Sequence, residues 1–115
     1  MNTTNLALTL LSVLSIAVGQ VFFKLAARSA AGAASNPWAL VNPWLAGALV
    51  IYAFATVLWV WVLKTTPLNI AYPFMGFAFV VVPVLAAIFL GEPLDWRVLA
   101  GGLLVTAGVV IVSWR

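Results

Sequence analysis

The chain has 115 residues, of which 66% are hydrophobic and only 6% charged, and its formal net charge is +3. A water-soluble domain carries about a quarter charged residues, so this chain cannot cover a surface facing water. It contains no Cys and no His, which excludes disulfides, thiol chemistry and the common metal ligands. The bases Lys24, Arg28, Lys64, Arg97 and Arg115 stand singly at the ends of apolar runs, a pattern that suits lipid headgroups and offers no patch to nucleic acid. The acids Glu92 and Asp95 share one short polar segment. No nucleophile–base pair or metal set can be assembled, so neither an enzyme nor a cofactor is expected.

The length allows one domain, 1–115. A spanning helix needs about 20 mostly apolar residues, and the windows 5–23, 44–63, 67–90 and 96–114 qualify. The expected fold class is therefore all-α, an integral membrane protein with four transmembrane helices. The runs are too long and too uniformly apolar for barrel strands. The first run stops at Lys24. Its leader Met1-Asn2-Thr3-Thr4 lacks a basic side chain, so it reads as a retained helix despite cleavage-like sites in the alanine-rich stretch 26–34. The first connection has room for a short interfacial turn. The second run stops at Lys64, and the third is closed by Gly91-Glu92-Pro93. These later connections are tight turns, which predicts that helices two to four are antiparallel neighbours. Trp38, Trp44, Trp96 and Trp114 fall beside helix ends, as an interfacial aromatic belt requires. Lys24, Arg28 and Arg97 oppose Lys64, Arg115 and the N-terminal amine, so charge favours both termini outside only slightly.

Small and polar positions mark where membrane helices meet or a cavity lies. Helical spacing puts Ser12, Ser15, Gly19 and Phe23 on one face of helix one, with Gln20 at its edge. Ser12, Ser15 and Gly19 read first as packing positions. Gln20 must face protein or a wet cavity, either in an interhelical hydrogen bond or against a ligand. Helix two stacks Ala48, Tyr52, Ala55, Thr56 and Trp59; helix three stacks Asn69, Tyr72, Gly76, Phe79 and Pro83. Tyr52, Trp59 and Tyr72 serve as core aromatics or as cavity walls. Pro73 and Pro83 free backbone carbonyls and bend helix three, giving a hinge or a packed kink. Gly101 and Gly108 share a face of helix four and suggest association between chains. Lys24 is a snorkelling anchor or, close to Gln20, a point charge for a phosphate. No Asp, Glu, His, Lys or Arg lies well inside a span, whereas proton-coupled carriers generally need one there.

The runs Val18-Gly19-Gln20-Val21-Phe22-Phe23-Lys24, Pro67-Leu68-Asn69-Ile70-Ala71-Tyr72-Pro73 and Leu90-Gly91-Glu92-Pro93-Leu94, followed by Gly101 and Ala107-Gly108-Val109, resemble the drug/metabolite transporter superfamily. The size is similar to its four-helix members, which pair as dimers. Small multidrug resistance exporters in that superfamily place a glutamate where this chain has Ile16, and tend to have a tryptophan where it has Met75. The motifs instead resemble EamA-type subunits that flip undecaprenyl-phosphate aminoarabinose, a lipid-linked sugar used in lipid A modification. This resemblance implies a multi-pass subunit of the bacterial inner membrane, working as a homo- or heterodimer among membrane lipids. It implies a headgroup cavity of Gln20, Tyr52, Trp59, Asn69 and Tyr72 with Lys24 on the phosphate, a hinge at Pro73, Gly76 and Pro83, and a dimer contact at Gly101 and Gly108. Glu92 matches the superfamily's loop acid and reads first as a helix-end cap or a partner of Arg97. The alternatives are a multidrug-type exporter of cationic compounds and an accessory membrane subunit without a substrate.

Overall fold

The computed structural model describes residues 2–33 and 35–114. Among them are α1 (Thr3–Ala30), α2 (Pro43–Leu63), the single turn α3 (Leu68–Ala71), a 3-10 stretch Tyr72–Phe77, α4 (Ala78–Leu90) and α5 (Trp96–Ser113). Four spans, Thr3–Ala30, Pro43–Leu63, Leu68–Leu90 and Trp96–Ser113, are long and apolar enough to cross a membrane. Met1 and Arg115, both invoked for orientation, lie outside the described residues.

Local chemistry sets the helix ends. The side chains of Asn2, Asn42 and Asp95 accept backbone N–H groups at the starts of α1, α2 and α5, satisfying donors that have no partner within the helix. Gly91 ends α4 at φ 69°, a left-handed conformation that glycine adopts without a Cβ penalty, and Pro93 follows. Asp95, not Glu92, is therefore the cap. Arg97 lies over the Trp96 ring rather than on a carboxylate.

Helix one runs past Phe23 through Lys24 and Arg28 to Ala30. The single basic residue at 24 is no barrier, because Lys and Arg are good helix formers and nothing breaks the chain before Ala30. At about 1.5 Å per residue, its 28 residues reach about 42 Å, beyond a hydrocarbon core of about 30 Å. The Asn42 side chain donates to the Ala26 carbonyl at 3.0 Å, so α1 projects past the level at which α2 begins. Short 3-10 turns at Ala31–Ala33 and Pro37–Leu40 occupy the connection.

The helices are arranged as α2, α1, α4, α5, with α1 central. The tight turn from Leu63 to Leu68 does not make α2 and α4 close neighbours: α2 packs along α1 and meets the third span mainly at α3. Polar pairing explains this choice. Ser12 donates to the Ala55 carbonyl at 3.0 Å, and the Asn5 amide donates to the Thr65 and Thr66 hydroxyls at 2.6 and 3.0 Å. Ala48 and Ala55 are buried against α1. Gly19 admits the Tyr52 ring, and Gly47 admits Phe22. Ser12 and Gly19 are thus packing positions, whereas Ser15 bonds only the Leu11 carbonyl of its own helix.

The third span is not one α-helix. Pro73 lacks the N–H that would bond the Asn69 carbonyl, and a six-residue 3-10 stretch follows. In a 3-10 helix residues i and i+3 eclipse, and Phe74 and Phe77 accordingly meet at 5.9 Å between ring centres. Pro83 likewise leaves the Phe79 carbonyl without its helical donor. Gly102 of α5 lies against that carbonyl: a Cβ there would stand 3.5 Å from the oxygen and 3.0 Å from a Val80 methyl. Gly76 and Gly102 are therefore the glycines that let the third span and α5 close. Gly101 and Gly108 face open space.

Candidate substrate groove

The groove starts from Gln20. Ile16, Gln20 and Lys24 form one stripe of α1, and the Gln20 amide donates to the Tyr52 hydroxyl. Tyr52 is held by its surroundings: its ring lies on Gly19 and tilts against Phe23, 5.1 Å between centres. The Thr56 hydroxyl turns back to the Tyr52 carbonyl at 2.7 Å. One turn of the stripe faces α4, where Ile16, Gln20, Ala78, Phe79, Val82 and Pro83 line a laterally open cavity of about 290 Å³.

That lining is apolar apart from one amide, and it carries no titratable group. Ile16, at the position where exporters of the superfamily carry glutamate, faces the groove directly. An amide and a phenol can hold hydroxyls and a phosphate edge by hydrogen bonds. They cannot exchange a proton for a cation. The Gln20 carbonyl oxygen accepts no bond from a described residue, so the pair retains capacity for a ligand.

The expected residues separate into two groups. Gln20 and Tyr52 come together, and Gln20 and Pro83 line the same groove. Lys24 stands exposed one turn beyond Gln20, about 6 Å along the helix. Trp59 shares the Tyr52 face of α2 but is half-buried two turns away, toward the opposite membrane face. Asn69 is exposed and Tyr72 is 64% exposed, and neither side chain bonds a described residue. They do not join Gln20, because the 3-10 stretch winds by about 120° per residue rather than 100°, taking them off the face that α-helical spacing assigns. Ala78, Phe79 and Val82 line the groove although sequence reasoning did not select Ala78 or Val82. Their signal was the four-residue spacing beside Phe79, which says nothing until α4 is known to pack on α1.

No protein-family model matches the chain. No solved structure matches it either. Curated relatives do. The chain is 35% identical over 109 residues to a Pseudomonas paraeruginosa protein described as a probable 4-amino-4-deoxy-L-arabinose-phosphoundecaprenol flippase subunit ArnE, covering 93% of this chain and 95% of that one. Proteins of the same description from Yersinia pestis and Yersinia pseudotuberculosis are 33% identical over 110 residues, 96% of each chain. With that identity over nearly its full length, and with four helices able to cross a membrane, the chain belongs to the ArnE family of flippase subunits.

Proposed function

We propose that this chain is one subunit of a flippase that carries a polyprenyl-phosphate-linked sugar, of the undecaprenyl-phosphate aminoarabinose type, across the bacterial inner membrane for lipid A modification. The observation that carries the reading is the laterally open, uncharged groove lined by Gln20, whose amide is held by the Tyr52 hydroxyl. A polyprenyl tail stays in lipid while the headgroup crosses, so a side opening is what such a cargo needs. The sugar lies against Phe79 and Tyr52, its hydroxyls on the Gln20 amide, and Lys24 takes the phosphate.

A partner chain completes the cavity. The exposed Gly101 and Gly108 lie on one face of α5 with Leu104 and Ile111, which are 76% and 74% exposed, and this face docks a similar four-helix subunit. Pro73, Gly76 and Pro83 act as the flexing region about which the two chains rock.

The test is translocation of the lipid-linked sugar in proteoliposomes containing the chain and its partner subunit. Gln20→Ala and Lys24→Ala each lower the rate by about tenfold, as expected for losing one hydrogen bond to a charged headgroup. Unchanged rates in both variants would remove the site assignment. Proton release on adding a cationic drug would favour the exporter reading instead.

A further inference from the structure

A second groove lies on the other side of α1. Val18, Val21, Phe22 and Leu25 of α1, Trp44 of α2, and Leu85 and Phe89 of α4 enclose about 350 Å³. Val18 and Phe22 are each about 200° around α1 from Gln20, so this space is separate from the cargo groove. Its wall is firm: Phe22 and Trp44 meet edge to face at 5.6 Å and 87°.

Charged groups lie just beyond one end of this groove. Val18, Phe22, Leu25 and Ser29 recur at helical spacing, so Ser29 stands one turn beyond the apolar lining, with Arg28 beside it. The Arg28 guanidinium donates to the Leu90 carbonyl at 2.9 Å, next to the lining residue Phe89. Ala26 is level with the start of α2, so Arg28 and Ser29 sit at headgroup depth. Val18 lies about 15 Å deeper by helical rise. Glu92 follows two residues after Leu90, half-buried, and forms no salt bridge with a described base. Two helices, α1 and α4, also end here, each adding negative dipole charge.

We propose that this groove binds one phospholipid whose headgroup carries both a phosphate and a primary ammonium, its acyl chain running from Arg28 down to Val18. The charges select that occupant. Arg28 keeps N–H groups beyond the one given to Leu90, and with the Ser29 hydroxyl they hold the phosphate. The ammonium donates to the Glu92 carboxylate. A purely anionic headgroup meets Glu92 and two negative helix ends with only Arg28 and Ser29 in its favour. A trimethylammonium headgroup brings a cation without an N–H to donate. Since Arg28 also ties α1 to α4, the bound lipid reinforces that junction.

Native mass spectrometry of the full chain in detergent, with phosphatidylethanolamine, phosphatidylglycerol and phosphatidylcholine of matched chains in competition, tests this directly. Phosphatidylethanolamine is retained about tenfold over either competitor, the effect of one charge-assisted hydrogen bond. Arg28→Gln abolishes the retention, and Glu92→Gln removes the preference over phosphatidylglycerol, with helicity by circular dichroism as the folding check. Equal retention of the three lipids by the wild-type chain overturns the proposal, as does a preference for phosphatidylglycerol. These readings are independent of sugar translocation, which the other groove serves.

Discussion

Asn5 stands near the start of α1, 7% exposed, and its amide reaches both Thr65 and Thr66 beyond the end of α2. With Thr9 turned onto the Asn5 carbonyl at 2.7 Å, these groups form a largely buried polar knot that fixes the α1–α2 register at one membrane face. Removing the amide leaves the two hydroxyls without their donor. Asn5→Ala is expected to lower stability by about 1 kcal/mol, the usual scale of interhelical hydrogen bonds in membranes, read by reversible unfolding in detergent. Sequence reasoning located Gln20 because an amide within a membrane span has to be satisfied, and the structure pairs it with Tyr52. It did not see Asn5. A polar residue at a helix end has solvent and headgroups as alternatives, so nothing in the chain order singles it out. Lys64 follows the simple expectation for a basic residue at a span's end, lying over the Trp61 ring at 4.1 Å.

The spans were legible at the level of elements, because apolar runs of bilayer length leave the backbone no alternative to helix. Their internal structure was not. Two prolines predict a disturbance of the third span, but whether it becomes a bend or a 3-10 stretch depends on what packs against it. Here α5 presses on Gly76, where a Cβ would come within 2.8 Å of a Val105 methyl and 3.0 Å of a Val109 methyl. Gly76→Leu is therefore expected to push α5 away at about 1–3 kcal/mol, the range for overfilling a packed contact. Gly101→Leu, with open space at its Cβ, leaves the thermal midpoint of the isolated chain nearly unchanged. A smaller effect at Gly76 than at Gly101 would mean that the contact of the 3-10 stretch with α5 is loose. The order of helices also escaped sequence reasoning: short turns limit distance between consecutive ends, while small residues at 19, 48 and 55 decide which sides meet.

The whole chain measures 50 × 34 × 20 Å, so its thinnest direction holds two layers of helix about 10 Å across. Such a slab does not surround a sugar headgroup; the groove at Gln20 is open on one side, and Phe79 in its lining is 65% exposed. That geometry supports the proposed working unit of two chains with the groove between them, in which an amide, a phenol and aromatic faces, in place of an ion pair, are proposed to hold the cargo. Photo-crosslinking tests this most directly. With p-benzoylphenylalanine replacing Phe79 in the assembled flippase, exposure to light is expected to join the chain to the lipid-linked sugar. The same group replacing Ile88, which is 68% exposed on the opposite side of α4, is expected to capture bulk phospholipid only. Equal capture of the sugar at both positions, or capture at Ile88 alone, would contradict a cargo site at Gln20 and Tyr52.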